Sequence, residues 1–236
     1  MNLLKFSPGN AKIKHIPSLS LISGYSCPFA LNCLSKADKV TGKITDGKET
    51  IFRCFSASQE SLFPSVRKQR WYNFNLLRES KTEQAMANLI SKSLPLNNRV
   101  IRIHVGGDFY SQAYFNAWIK VANKHKDIIF YAYTKAIPYW INRLGSIPNN
   151  LKLTASFGGK HDALISQYNL KSAIVVYSEL EAKKLKLEID HDDSHAYGGN
   201  KNFALLIHGT QPKGSKAGKS KQLLKEKGWT GYKRAA

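Results

Sequence analysis

The chain has no apolar run approaching the roughly 18–20 residues that a membrane helix needs, which predicts a protein that does not span a bilayer. Cysteine is scarce and uneven: three residues in 236, all between positions 27 and 54. The N-terminal stretch MNLLKFSPGNAKIKH lacks the uninterrupted apolar core of a secretory signal. An odd thiol count in such a chain argues against a disulfide framework and predicts reduced cysteines in a cytoplasmic protein. Acidic residues are also few, with 16 Asp and Glu against 36 Lys and Arg, for a formal net charge of +20. The excess is not confined to a tail. Residues 1–94 carry 14 basic and 6 acidic side chains, residues 95–212 carry 14 and 9, and residues 213–236 carry 8 and 1. A body this basic attracts polyanions, because each phosphate neutralised by Lys or Arg releases condensed counterions. Nucleic acid is therefore the expected partner, against the plainer reading of a merely soluble basic protein.

What is present is the makeup of a folded domain, 42% apolar and 11% aromatic. The first forty residues are rich in Ser, Pro and Gly and read as irregular. KADKVTGKITDGKET alternates in polarity between two Gly-containing turns and predicts a small hairpin. From Ser58 to Ser93 the apolar residues fall at helical spacing, until Pro95. Beyond it the order becomes regular. Strands are expected at 99–105, 127–133, 151–157, 172–178 and 203–209, with helical patterns between them. Strands and helices alternating at about 25-residue intervals predict an α/β fold with a parallel sheet and right-handed crossovers. The strands are apolar nearly throughout, as covered on both faces. A partial (β/α) barrel is preferred over an open sheet. Three regions follow: a Cys-containing N-terminal segment (1–94), the βα core (95–212) and a basic tail (213–236).

Three groups of residues could carry chemistry. Cys27, Cys33 and Cys54 are soft ligands able to staple an irregular segment around a metal. Three thiolates leave one position open, which suits a [4Fe–4S] cluster with an exposed iron, or zinc with His15 or water as its fourth ligand. The spacing matches no common zinc finger, and three buried small residues are the alternative. Polar residues gather just after the expected strands: Gly106, Gly107 and Asp108, then Lys135, then Ser156. Ligands bind at this end of parallel strands, so these five are candidate cofactor-binding residues, although Asp108 also suits an N-cap. Tyr131, Tyr133 and Trp140 could line a pocket, stack a base or belong to the core. EIDHDDSHAYGGN (188–200) is the one dense acidic cluster. Asp192, Asp193 and His195 are its candidate catalytic acids and bases, a divalent-metal nuclease using Asp108, Asp190, Asp192 and His195 is a second reading, and a solvated loop is the third.

The segments SCPFALNC, FRCFSASQE, RKQRWYNFNLL, RIHVGGDFYSQAYFNAWIKVA, FYAYTK, LTASFGG, IDHDDSHAY and FALLIHG resemble a phage and plasmid family labelled gene product eighty-eight, over residues 5 to 215 or so. That resemblance implies a phage-type protein and assigns no activity. Three N-terminal cysteines, a partial barrel and a Gly-Gly-acid strand end are also similar to radical S-adenosylmethionine enzymes. By that resemblance Cys27, Cys33 and Cys54 stand for cluster ligands, and Gly106, Gly107 and Asp108 for the turn that holds the methionine amine. The C-x₃-C-x₂-C loop of those enzymes is absent. The leading expectation is a metal- or cluster-containing protein acting on nucleic acid. A non-enzymatic nucleic-acid-binding protein with structural zinc stands beside it. If the charge drives binding, affinity for a duplex or single strand should fall steeply between low and physiological salt. A nearly flat plot of log K against log salt would reject that driving force.

Overall fold

The computed structural model describes residues 2–10 and 12–229. The stretch expected to be irregular contributes two short strands, β1 (Phe6–Ser7) and β2 (Ser18–Leu19), paired antiparallel. The predicted hairpin is present as β3 (Ser35–Ala37) and β4 (Ile44–Asp46). The helical region 58–93 resolves into α1 (Phe55–Leu62), α2 (Pro64–Glu79) and α3 (Glu83–Ser93). Local chemistry sets these breaks. Phe63 is extended and Pro64 occupies the first turn of α2, where a missing N–H costs nothing. Lys81 then takes a left-handed conformation (φ 53°), and the Thr82 hydroxyl accepts from the Ala85 N–H to start α3.

The core alternates as expected: β5 (Val100–Ile103), α4 (Gln112–Lys124), β6 (Ile129–Thr134), α5 (Ile137–Ile141), β7 (Leu151–Ser156), α6 (Ala163–Gln167), β8 (Ser172–Val176) and α7 (Glu179–Lys184). It closes with β9 (Glu188–Ile189), α8 (Ser194–Gly198), β10 (Phe203–Leu206) and α9 (Lys216–Glu226). The fold is α/β, built on one eight-stranded sheet in the order β1-β2-β5-β6-β7-β8-β10-β9. Every pairing except β1–β2 is parallel. Strands β5 to β8 follow one another in space as they do in sequence. That winding lacks the reversal of a doubly wound sheet and matches the sense of a (β/α) barrel. Among the described residues no pairing joins β1 to β9, so the sheet has two edges.

Sequential winding with right-handed crossovers sends α4, α5 and α6 to one face. Ile101, Ile103, Phe130, Ala132, Leu151, Leu153 and Ala155 meet Phe115, Trp118 and Val121 of α4 in the largest core cluster. The alternate positions face the other way and include Arg102, Tyr131, Tyr133, Thr154 and Ser156. The inner face is therefore mixed: Arg102, Thr154 and Ser156 are polar, while Val100, Ala173, Phe203 and Leu205 pack with Tyr131 and Tyr133 in a separate apolar cluster. Part of the basic tail is also ordered, since Ala217 and Leu224 of α9 are buried with Val176, Leu206 and Ile207. Residues 230–236 of that tail lie outside the described residues.

Glu60 locks α1 onto this frame. Its Oε1 accepts from the Ser23 N–H at 3.0 Å, the Ser23 hydroxyl at 2.8 Å and Arg70 Nη1 at 2.8 Å, and the side chain is fully buried. The same arginine donates to the Ser56 carbonyl. A buried ion pair gains little over an apolar substitute, but removing one partner strands the other charge. Glu60→Ala should thus destabilise the fold by about 3–5 kcal/mol in urea unfolding, and a loss below about 1 kcal/mol would contradict this role.

Candidate functional site

A cavity of about 570 Å³ opens at the carboxyl ends of β5, β6, β7, β8 and β10. All three cysteines line it, each half-buried and none in a disulfide. They arrive from three separate pieces of backbone. Cys27 closes a turn in which the Gly24 N–H points at its sulfur, 3.4 Å away. Cys33 follows Leu31 and Asn32, whose N–H groups both donate to the Gly158 carbonyl beyond β7. Cys54 is the N-cap residue of α1, and its own N–H donates to the Ser35 hydroxyl. Burial raises the Cys54 pKa to about 12, helped by Cys33, against the opposing pull of the α1 backbone N–H groups. Burial also pushes Cys27 well up, followed by the charges of Asp108 and Cys54. The metal-free Cys27 and Cys54 thiols are therefore protonated at neutral pH. Among the described residues, no group of three or more His, Cys, Asp or Glu side chains stands at metal-holding spacing.

Gly106, Gly107, Asp108, Lys135 and Ser156 line the same cavity. Gly107 has φ 85°, and a Cβ there would lie 2.6 Å from the Ser26 Oγ and 2.7 Å from the Leu21 Cβ. Its glycine is required by the Cys27 segment packed against it. Asp108 Oδ1 accepts from the Thr134 hydroxyl at 2.6 Å and the Phe109 N–H at 2.7 Å, and Oδ2 from the Lys135 N–H at 2.8 Å. A carboxylate offers about four acceptor sites, so Oδ2 keeps room for one more donor. Burial lifts the Asp108 pKa to about 6 despite those three bonds. Lys135 is fully occupied: its Nζ donates to the Ser156 hydroxyl at 2.6 Å and to the Ser156 and Phe157 carbonyls. Lys135 and Ser156 thus tie the ends of β6 and β7 together.

The acidic cluster divides. Asp193 is fully buried, in a left-handed conformation (φ 67°), and lines the cavity. Its Oδ1 meets Lys12 Nζ at 2.6 Å and the Tyr133 hydroxyl at 3.0 Å; its Oδ2 meets Arg102 Nη1 at 2.5 Å and the Tyr131 hydroxyl at 3.0 Å. Burial alone would raise its pKa, yet Arg102 and Lys12 draw it down to about 2. Its four donors make it the anchor of the charged and phenolic groups around it. Asp192 is exposed and accepts from the Ser194 N–H at the start of α8. His195 pairs with Glu188 at 2.9 Å. Neither lines the cavity.

The cavity residues that went unread in the sequence include Lys12, Arg102, His104, His208 and Lys221. The available signal was a basic or imidazole side chain interrupting an apolar strand, in RVIRIHV and FALLIHG. His104 is buried with φ 67°; its Nε2 is 2.9 Å from the Tyr114 hydroxyl, and its Nδ1 has no hydrogen-bond partner among the described residues. His208 stacks on Phe55 at 3.6 Å between ring centroids, with Nδ1 at 2.8 Å from the Leu206 carbonyl.

The family described as Gene product 88 matches residues 3–226, and the chain belongs to it. The Gene 88 protein of Mycobacterium phage D29 is 28% identical over 140 residues, covering 54% of this chain and 50% of that protein. The Gene 88 protein of Mycobacterium phage L5 is 27% identical over 137 residues, covering 54% and 51%. The chain thus aligns with about half the length of these curated relatives. No solved structure matches it, and among the described residues no helix is long and apolar enough to cross a membrane.

Three buried groups set a pH dependence. Burial lowers His104 to about 3 and His208 to about 4, while Asp108 is raised to about 6. Between about pH 6 and 4.5 the unfolded chain protonates both imidazoles, which the folded chain keeps neutral, whereas only the folded chain protonates Asp108. The unfolded state then binds one net proton more. From these groups stability falls by about 1.4 kcal/mol per pH unit as the solution is acidified. His208→Gln should flatten that slope toward zero in urea titrations at pH 6, 5.5, 5 and 4.5; an unchanged slope would show that His208 titrates normally.

Proposed function

We propose that this cavity is a reaction site built around a metal centre on Cys27, Cys33 and Cys54, a [4Fe–4S] cluster ahead of zinc, in a phage-encoded enzyme of the host cytoplasm that acts on nucleic acid. The observation that carries the reading is the convergence of three thiols, from three separate backbone segments, on one cavity wall with Asp108 at the carboxyl ends of parallel strands. Three soft thiolates would leave one position open on a shared metal, and because they do not stand at metal-holding spacing among the described residues, binding would have to draw them together. His15, the protein ligand a closed zinc site would draw on, is exposed and does not line the cavity. A cluster with an open iron supplies electrons and a coordination position to a small ligand such as S-adenosylmethionine.

The chain's own residues supply binding and orientation. The unspent acceptor site on Asp108 Oδ2 suits an amine, and Thr134 and the Lys135 N–H fix that carboxylate in place. The Lys135 link to Ser156 holds the strand ends on which the carboxylate depends. Because burial keeps the Cys27 and Cys54 thiols protonated, loading a metal must release protons, so uptake should weaken as pH falls.

The nuclease reading has less support, since Asp192 and His195 stand outside the cavity that contains Asp108. Anaerobically purified protein is expected to contain iron and acid-labile sulfide with a charge-transfer absorption band. Cys54→Ala should remove both while leaving the far-ultraviolet circular dichroism unchanged. Stoichiometric zinc in place of iron would turn the site into a structural one, and no metal after reconstitution would overturn the proposal.

A further inference from the structure

Arg102 breaks the apolar pattern of β5, and its guanidinium forms part of the cavity wall with the side chain 14% exposed. Three neighbours fix its plane. Nε donates to the His104 carbonyl at 3.1 Å, Nη1 donates to Asp193, and the group lies 4.9 Å from the centroid of the Tyr133 ring. Nη2 makes no hydrogen bond to any described residue. The rigid fork is therefore positioned with one arm unspent. Lys12 sits on the other oxygen of the same carboxylate, so two cations share Asp193. That carboxylate is filled by the two tyrosine hydroxyls as well. Lys135 is consumed by its three acceptors, and Lys221 of α9 reaches the cavity from its rim. The cavity lining carries four cations, Lys12, Arg102, Lys135 and Lys221, against two carboxylates, Asp108 and Asp193, with Asp190 buried behind Asp193, and this balance favours an anionic guest.

We propose that the cavity takes a phosphate-bearing ligand, whose phosphoryl oxygens are held by Nη2 of Arg102 with Lys12 beside it. A guanidinium fork matches phosphate oxygens in geometry, and a second cation close by suits a group with several charged oxygens. The phosphate belongs either to a free nucleotide or to a nucleic-acid strand. On the outer surface, Lys216, Lys219 and Lys225 of α9 are exposed, while Lys221 of the same helix lines the cavity. A strand lying along α9 would therefore pass the opening. The inference rests on the cavity being the reaction site proposed above, but not on its metal.

The test is calorimetric titration of the full chain at constant ionic strength. The probes are inorganic phosphate, a 5′-mononucleotide, a single-stranded oligonucleotide and acetate as the carboxylate control. Saturable binding of phosphate and mononucleotide, with acetate far weaker, is expected. Arg102→Lys keeps a cation beside Asp193 but loses the fork, and should weaken both by roughly tenfold or more. Should that variant fail to fold by circular dichroism, Lys12→Gln replaces it, with a loss of several-fold expected. Lys216→Gln with Lys219→Gln should leave mononucleotide affinity unchanged. A matching loss for the oligonucleotide identifies the polymer as the source, and no loss identifies the free nucleotide. Phosphate no better than acetate, no saturable phosphate binding, oligonucleotide binding without mononucleotide binding, or unchanged affinity in the folded variant would each overturn the assignment. Iron content of the same samples reports separately on the thiol site and should not respond to Arg102→Lys.

Discussion

A carboxylate without solvent contact must find all its partners in the protein, and Asp193 finds four in three segments of chain. Lys12 comes from the N-terminal strap, Arg102 from β5, and Tyr131 and Tyr133 from β6. Unpaired, such a charge would cost several kcal/mol. Its own backbone is held by Asp190, whose Oδ1 accepts the Asp193 N–H at 2.8 Å. This contact gives the inner face its polarity. It accounts for an arginine and two tyrosines on strands whose outer face is wholly apolar, and it draws the N-terminal segment into the cavity wall. The αL conformation at Asp193 is tolerated because Asp is among the residues that adopt it at least cost.

The thiols depend on the same frame by another route. Nothing in residues 23–54 forms a long element, so their positions derive from anchors on the core. The Gly158 carbonyl accepts from Leu31 and Asn32, Glu60 accepts from Ser23, and Ser35 receives the Cys54 N–H. Gly107 allows close approach of the Ser26 turn. The Gly-Gly of the strand end thus brings the Cys27 segment against Asp108, a packing role that operates whatever the cavity binds.

Much of this was legible in the sequence where periodicity is strong. The five core strands and their parallel order follow from apolar runs spaced by helical patterns; the structure trims four of them by one to three residues in all and shifts the one expected at 127–133 to Ile129–Thr134. The hairpin followed from its turns. The division of 58–93 into three helices was less visible, because an extended Phe63 before Pro64 and a left-handed Lys81 interrupt a stripe that stays apolar throughout. The short strands β1, β2 and β9 have two residues each, too few for any period to register. The site was half legible. The cysteines and the residues after β5, β6 and β7 could be picked out because ligands gather at strand ends. Lys12, Arg102 and His208 could not, since their meeting with one another depends on the register of β2 against β5 and of β10 against β8.

Two buried carboxylates then divide the cavity into sides of opposite demand. Asp108 has neutral donors, so burial prevails and its pKa rises to about 6. Its residual charge works against a thiolate at Cys27. On this side a bound cation would relieve both groups at once. Asp193 meets two cations, which hold it ionised, and Lys221 adds a third at the cavity rim. On that side the proposed phosphate would meet the unspent arm of Arg102. A ligand carrying a positive or metal-binding group at one end and a phosphate at the other would satisfy both sides in one orientation and neither in the reverse. For the proposed ligands, the charge pattern would set the direction of binding as well as the class bound.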